Sequence, residues 1–399
     1  MSWLELLISE TDFVETPKQW IYWSGLATIS AVASPNITIN KGAYKLRPNL
    51  YILLMGRSGL GKGFGPSVSK KLVGMVDNTR IISGRGSIEG IIKELALVKA
   101  KENGSIPFKD ARGYLCSGEF AASLYEAGHA LTILTDLYDA HYNPEWTNTL
   151  KNSPIEKLRF PCLTLLSGAN QDMFDMTVDK PHVSGGFIGR TLLIAAEKRH
   201  HANSMIYEDG VTPDEVNYEK LACYLKDLSK LEGSMRWSPE AVKVYNKWFY
   251  PYREAEFEDK TGTYDRLNDH VIKVAACISL ARKLDMVIED EDVYDAVTMC
   301  SKLSASAKAV AGMEGKSASS PSIKVLMRLL LGTEGHVLTR KQVLQRSFGD
   351  LDSVELDKAV ETLIQMQFIA QTGGGKEIKY QLTKQCLNWW KESTGRKDG

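Results

Sequence analysis

The apolar positions of this chain change rhythm near residue 212. Before that point, short uninterrupted apolar runs alternate with segments whose apolar residues recur every three or four positions. The runs predict strands at 37–40, 50–55, 81–83, 113–117, 162–167 and 191–195. The periodic segments predict helices over 16–34, from the turn after Met55 to about Val73, and from Ser87 to about Lys101. In the first of these Thr16 can cap, Pro17 suits the opening turn, and Trp20, Trp23 and Leu26 share a face. Continuous apolar strands separated by helices predict an α/β fold, a parallel sheet covered on both faces. Beyond 212 the pattern reads as helices only, with Ser238-Pro239-Glu240 as a start signal and 267–284 as an amphipathic helix.

Residues 312–321, GMEGKSASSP, are small and polar and read as a linker. After it come helices at about 322–331, 340–346 and 353–367, then two short strands flanking Gly373-Gly374-Gly375. Three helices and a glycine-tipped hairpin follow the order of a winged-helix domain. The expected organisation is therefore a helical segment at 1–45, an α/β core at 46–210, an all-helical lid at 211–312, a linker at 313–321 and a winged helix at 322–399. Residues 1–45 are expected to brace the sheet, because Trp20 and Trp23 are too apolar to leave in water.

Charge narrows the partners. Lys and Arg number 49 and Asp and Glu 49, so no whole-chain field attracts nucleic acid. A nucleic-acid site must be a local patch or one completed by an oligomer. The six cysteines are scattered without a C-x-x-C pair and read as reduced core residues, and His200-His201 reads as a solvated pair. No run approaches the ~18 apolar residues of a membrane span, and no signal-peptide pattern opens the chain. The expectation is a cytoplasmic protein with no membrane partner.

The chemistry concentrates in residues 50–63, LYILLMGRSGLGKG. An apolar run leads into Gly56-Arg57-Ser58-Gly59-Leu60-Gly61-Lys62, matching G-x-x-x-x-G-K-[ST] except at the last position, where Gly63 stands. In such a loop backbone N–H groups wrap phosphates at a helix N-terminus, and the lysine reaches the outer phosphates. The cofactor-binding set is Gly56, Ser58, Gly59, Gly61, Lys62 and Gly63. Hydrolysis also needs groups that hold metal, orient water and meet phosphoryl charge. Glu119 follows the strand at 113–117, and Asn170 follows the strand at 162–167. Both fall at the carboxyl edge of the sheet, where ligands of open α/β sheets bind. Arg190 closes Gly185-Gly186-Phe187-Ile188-Gly189-Arg190 directly before the last strand.

With these in order, SGRGSIEGIIKEL (83–95), GYLCSGEF (113–120), LLSGAN (165–170), GFIGRTLLI (186–194) and the 264–296 helical stretch resemble AAA+ ATPases. They are most similar to MCM-type replicative helicases and the helicase-like ATPases of phages and mobile elements. The resemblance spans roughly residues 15–310. It implies ATP and Mg²⁺ as cofactors, Lys62 as the Walker A lysine, Glu119 as the Walker B glutamate and Asn170 as sensor 1. It further implies Arg190 as an arginine finger toward a neighbour's nucleotide and Arg266 as the sensor-2 arginine. Gly63 and Gly118 depart from the family's hydroxyl and aspartate. That leaves metal to the phosphates, water, Glu119 and the Ser117 hydroxyl, so slow hydrolysis and a nucleotide-binding switch both stay open.

The resemblance also places a channel-facing hairpin in the Pro-broken stretch 139–152. Lys151, Trp146 and Asn148 would there meet a single strand by charge and stacking, or the hairpin is solvated with Trp146 packed on its base. In the winged-helix region, Asp352, Glu355, Asp357 and Glu361 outnumber Lys358 on the third helix, which disfavours a major-groove role. Lys376 and Lys379 leave DNA contact by the wing open beside docking of a replication partner. The leading expectation is a ring-forming, hexameric DNA helicase or translocase acting on single-stranded or forked DNA. A nucleotide-gated helicase loader or origin-binding ATPase is the alternative.

Overall fold

A computed structural model describes residues 1–83, 87–96, 110–120, 127–139, 145–148, 156–170, 186–204, 206, 214–255, 262–311, 320–348, 351–373 and 378–388. The chain divides into two compact units, residues 1–312 and 313–399. The first opens with helices α1 (Trp3–Glu10) and α2 (Lys18–Ala33), then strands β1 (Ile37–Lys41) and β2 (Tyr44–Leu46). Next come β3 (Tyr51–Met55), α3 (Phe64–Val76), β4 (Arg80–Ile82), α4 (Ile88–Ala96), β5 (Arg112–Ser117) and α5 (Ala127–Asp139). A hairpin of β6 (Glu145–Asn148) and β7 (Glu156–Arg159) leads to β8 (Cys162–Ala169) and β9 (Thr191–Ala195). The unit ends with α6 (Tyr218–Leu228), β10 (Gly233–Trp237), α7 (Pro239–Glu254), α8 (Thr263–Arg282), β11 (Val287–Ile288) and α9 (Asp290–Ala311).

Five of these strands form an all-parallel sheet in the order β4-β5-β8-β3-β9. All five residues of β3 are buried, as a strand covered on both faces requires. Alternation sends them two ways. Tyr51, Leu53 and Met55 join a core with Ile91, Ile92, Leu131 and Leu134 of α4 and α5. Ile52 and Leu54 join a larger core with α2 and α3. The connection from β8 to β9 crosses β3, so the end of β3 is a topological switch point, the place where open α/β sheets form a ligand crevice.

Helix α2 is apolar around its whole circumference, and nearly all of it is buried. That pattern belongs to a helix packed on every side. It lies against β3, β8 and β9 and against α1, α3 and α8. Its polar residues are satisfied inside the core: Thr28 shares a hydrogen bond with Ser69 at 2.6 Å, and Ser30 receives the Leu50 N–H at 3.0 Å. The Trp20 indole donates to the Ile194 carbonyl at 2.9 Å. Thr16 does not cap this helix. Pro17 holds the N-cap position without a side-chain bond, and the Thr16 hydroxyl donates instead to the Gly61 carbonyl at 3.4 Å.

The expectation of helices only after residue 212 needs correcting, and with it the all-helical lid. β10 and β11 lie in that stretch, and with β1 and β2 they make a four-stranded sheet in the order β11-β10-β1-β2. β11 has two residues, too few to carry a period of two, and β10 exists because β1 offers it a parallel partner nearly 200 positions away. These elements share the larger core with the sheet and α2, so residues 1–312 cohere as one unit.

The second unit comprises α10 (Ser320–Leu331), β12 (Val337–Thr339), α11 (Arg340–Arg346), α12 (Ser353–Gln365), β13 (Ile369–Thr372) and β14 (Lys379–Leu382). Capping boxes open two of its helices, Thr339 with Gln342 and Asp352 with Glu355. Its antiparallel sheet runs β12-β14-β13 over a core of Leu326, Leu330, Val343, Leu356 and Tyr380. β12, three residues long, was not expected from the sequence. Among the described residues no helix is long and apolar enough to cross a membrane.

Because Trp20 is fully buried and joins α2 to β9, Trp20→Ala should cost about 3–5 kcal/mol of stability. Urea unfolding followed by circular dichroism measures this; a loss below about 1 kcal/mol would mean that α2 is not a structural brace.

Candidate nucleotide site

The turn between β3 and α3 departs from the strand end that the crossover passes. Gly59 and Gly61 adopt φ of +85° and +80°, a region open to glycine at little cost. Gly56 approaches its neighbours so closely that a Cβ would stand 2.8 Å from the Trp20 ring and 2.9 Å from the Ala196 carbonyl. Gly63 is the N-cap of α3, which has no side-chain cap, so the helix presents its N-terminal end to the turn. At Gly63 and at Gly118 a Cβ would meet nothing within 4 Å.

The Lys62 ammonium folds across the strand ends. It donates to the Gly56 carbonyl at 2.6 Å and to the Ala169 carbonyl at 3.1 Å. Burial lowers its pKa, with the Glu119 carboxylate opposing that shift, which places the two charges on one another's field. Ser117 and Glu119 form a tight local turn: the Ser117 hydroxyl donates to the Glu119 carbonyl at 3.0 Å and accepts from the Glu119 N–H at 3.2 Å. Gly168 lets β8 pass here, since a Cβ on it would collide with the Gly118 carbonyl and reach 3.1 Å from Lys62 Cβ. Asn170 follows Ala169, which stands opposite Met55. Lys62, Ser117, Glu119 and Asn170 thus gather at the carboxyl edge of the sheet. Ser58 is exposed within the turn.

Two contributors were invisible in the sequence. Arg199, just past β9, donates to the Gly59 carbonyl at 3.4 Å and pairs with Glu15 at 3.0 Å. The Thr16 hydroxyl reaches the Gly61 carbonyl. The only signal for Arg199 was its position a few residues beyond the last parallel strand.

Arg190 and Arg266 lie at the opposite edge. Arg190 precedes Thr191, which pairs with Tyr51 at the amino end of β3. It is buried, donates to the Asp139 carboxylate from Nε at 2.9 Å and also from Nη2, and binds the Gly186 carbonyl at 2.7 Å. Arg266 comes within 3.7 Å of the same Asp139 oxygen. Asp139 therefore joins both arginines. Beside it Lys273 is fully buried, donating to Asn49 Oδ1 at 3.0 Å with its ammonium 3.7 Å above the Tyr138 ring. His270 is also buried, bonded to the Gly189 carbonyl at 2.9 Å, and burial pushes its pKa down to about 4.

For the nucleic-acid residues the picture is mixed. Trp146 is half-buried, packs on the smaller core, and stands across from the buried Leu158. Asn148 pairs with Glu156 in the hairpin ladder. Lys151 lies outside the described residues, as does Lys376. Lys379 is exposed at the start of β14. Arg340, from the same unit, is taken up by Asp357 and by the Tyr380 hydroxyl at 3.2 Å.

Phosphate fits the glycine turn, the uncapped helix end and the lysine. The protein donors for Mg²⁺ are sparse: among the described residues no group of three or more His, Cys, Asp or Glu side chains could hold a metal. Compared with known families the chain matches no family model, and it has no match among characterised proteins.

Burial pushes Lys273 down to about 8, with Asp139 and Asp269 opposing, from 10.5 for an ordinary lysine. Between those values the unfolded chain holds a proton that the folded chain has released, so stability rises with pH across that window. Below it both states are protonated and this contribution is flat. The melting temperature should therefore climb from pH 8 to pH 10 relative to Lys273→Met; equal slopes in the two chains would contradict a depressed pKa.

Proposed function

We propose that this chain is a P-loop ATPase of the AAA+ kind that assembles into a ring and moves on DNA as a replicative helicase or translocase of a phage or mobile element. What carries the reading is the gathering of Lys62, Ser117, Glu119 and Asn170 around the end of β3, at the crevice of the parallel sheet. In this reading ATP with Mg²⁺ supplies the phosphoryl group and the counter-charge to it. Lys62 exchanges its two carbonyl partners for phosphate oxygens. Glu119 orients and polarises the attacking water, and Asn170 holds the outer phosphate in line. Such chemistry is positioning and electrostatics rather than covalent catalysis.

The placement of the arginines favours a shared site. The five residues of β3 alone separate the edges by roughly 16 Å. Arg190 and Arg266 therefore cannot serve the phosphates held by Lys62 of their own chain. A second copy that presents its amino edge would supply them, provided its Arg190 leaves Asp139 for a phosphate. The second unit, with three helices and a small antiparallel sheet, has the composition a winged helix requires, and its acidic α12 suits docking to a replication partner better than groove reading.

A nucleotide-gated loader is the second reading, favoured by the missing hydroxyl at Gly63 and carboxylate at Gly118. Both readings make ATP turnover with and without single-stranded DNA the deciding measurement. A helicase should show DNA-stimulated turnover that Lys62→Ala and Arg190→Ala each lower by about 10³ or more. Mixing the two variants should restore part of it, because some interfaces then pair an intact loop with an intact arginine. Bound nucleotide without turnover would leave the loader.

The open space at Gly63, with its helical φ of −79°, admits a side chain. Gly63→Ser should raise Mg²⁺-dependent turnover or nucleotide affinity several-fold while leaving the melting temperature within a few degrees. No change in Mg²⁺ dependence would place the metal away from the start of α3.

A further inference from the structure

At the amino edge of the sheet, away from the glycine turn, an open cleft of about 450 Å³ is lined by Pro35, Asn36, Arg47, Asp110, Arg159 and Phe160. Its size is that of a small-ligand site. Its charge is one-sided. Asp110 is already neutralised by Arg112, which donates to its two oxygens at 2.8 and 2.7 Å and reaches Asn36 at 2.9 Å. Arg80 adds a further guanidinium behind this pair, donating to the Asp110 carbonyl at 2.8 Å. Arg47 and Arg159 remain, and among the described residues no carboxylate pairs with either. Two guanidiniums in one cleft without counter-ions suit an anion that offers bidentate oxygens.

Phe160 supplies a second, independent feature. The residue is 39% exposed, its ring centroid lies 5.8 Å from the Arg159 guanidinium, and its backbone φ is +46°. A bulky residue in that region is strained, and strain of this kind persists where the surroundings hold it. Here the flanking chain is tied to β5: the Ala111 N–H donates to the Arg159 carbonyl at 2.7 Å and the Cys162 N–H to the Ala111 carbonyl at 3.2 Å. The cleft wall is therefore built, with an apolar ring turned to solvent at its rim.

We infer that this cleft binds a segment of single-stranded nucleic acid, one phosphate held by Arg47 and Arg159 and a neighbouring base stacked on Phe160. The ring distinguishes this ligand from a free phosphate, which gains nothing from an aromatic face. The site stands at the foot of the β6–β7 hairpin and at the edge of the sheet opposite Lys62, so strand binding here needs no nucleotide.

The test is fluorescence anisotropy of a labelled oligothymidylate with the full chain, without ATP, across a salt series. Arg47→Gln/Arg159→Gln should flatten the salt slope by about 0.7, the contribution of one single-strand phosphate contact. Arg47→Lys/Arg159→Lys should keep the slope, and Phe160→Leu should weaken binding about fivefold or more at constant slope. The glutamine and leucine variants should keep the DNA-free ATP turnover of the parent chain. Loss of that turnover in the parent would sink the ATPase reading while anisotropy still reports on the cleft. Unchanged binding in both the glutamine and leucine variants overturns the inference. So does arginine-dependent displacement by polyglutamate, which would assign the cleft to an acidic protein, or by inorganic pyrophosphate at equal concentration, which would make it a simple anion site.

Discussion

The buried helix α2 is the constraint on which the first unit depends. A helix with no polar face has to be enclosed, and here it is enclosed by the sheet on one side and by α1 and α8 on others. Trp20 concentrates that role. Its indole N–H bonds β9, its ring closes on Gly56, and one turn later Ser24 lies so close to Gly65 that α3 could carry no side chain there. The glycine turn is thus held from below by the N-terminal helix and from the side by Thr16 and Arg199. If the turn meets a charged ligand with its backbone, as proposed, such rigidity serves it, because positioning is most of what such a loop contributes.

The sheet separates two sets of charge. At the carboxyl edge, a lysine of lowered pKa faces one carboxylate among carbonyls. At the amino edge, Asp139 gathers Arg190 and Arg266 while Lys273 and His270 are buried beside them. Burying the Arg190 and Lys273 cations around few carboxylates is costly unless each is bonded, and His270, its pKa pushed down to about 4, is neutral there. Asn49, Tyr138 and the Gly186 carbonyl meet that need. The arginines are therefore ordered where they stand, and any role toward a second chain must compete with Asp139.

Much of the fold was legible. β9 was read at its observed limits, and the other four parallel strands to within two residues, since fully covered strands are continuous apolar runs. The glycine turn was legible because glycine, lysine and their spacing are themselves the chemistry. Thr16 misled because a threonine before a proline looks like a cap, while its hydroxyl had a partner 45 positions away. Trp146 was half legible: its aromatic character was plain, but whether it packs or stacks depends on Leu158 and the core beneath.

By itself the sequence determined the local quantities: strand burial, the approximate limits of several helices, and a glycine turn with a lysine at its end. These follow from period, propensity and backbone sterics within a few residues. Only the tertiary structure decided which charges meet. Asp139 with Arg190, Lys273 with Asn49, Arg199 with the turn, and β10 beside β1 join residues tens to hundreds of positions apart. Such pairings carry no periodic mark, because a carboxylate on a helix end reads the same whether it faces water or two arginines. Which of them form is set by how the crossovers stack the two edges of the sheet.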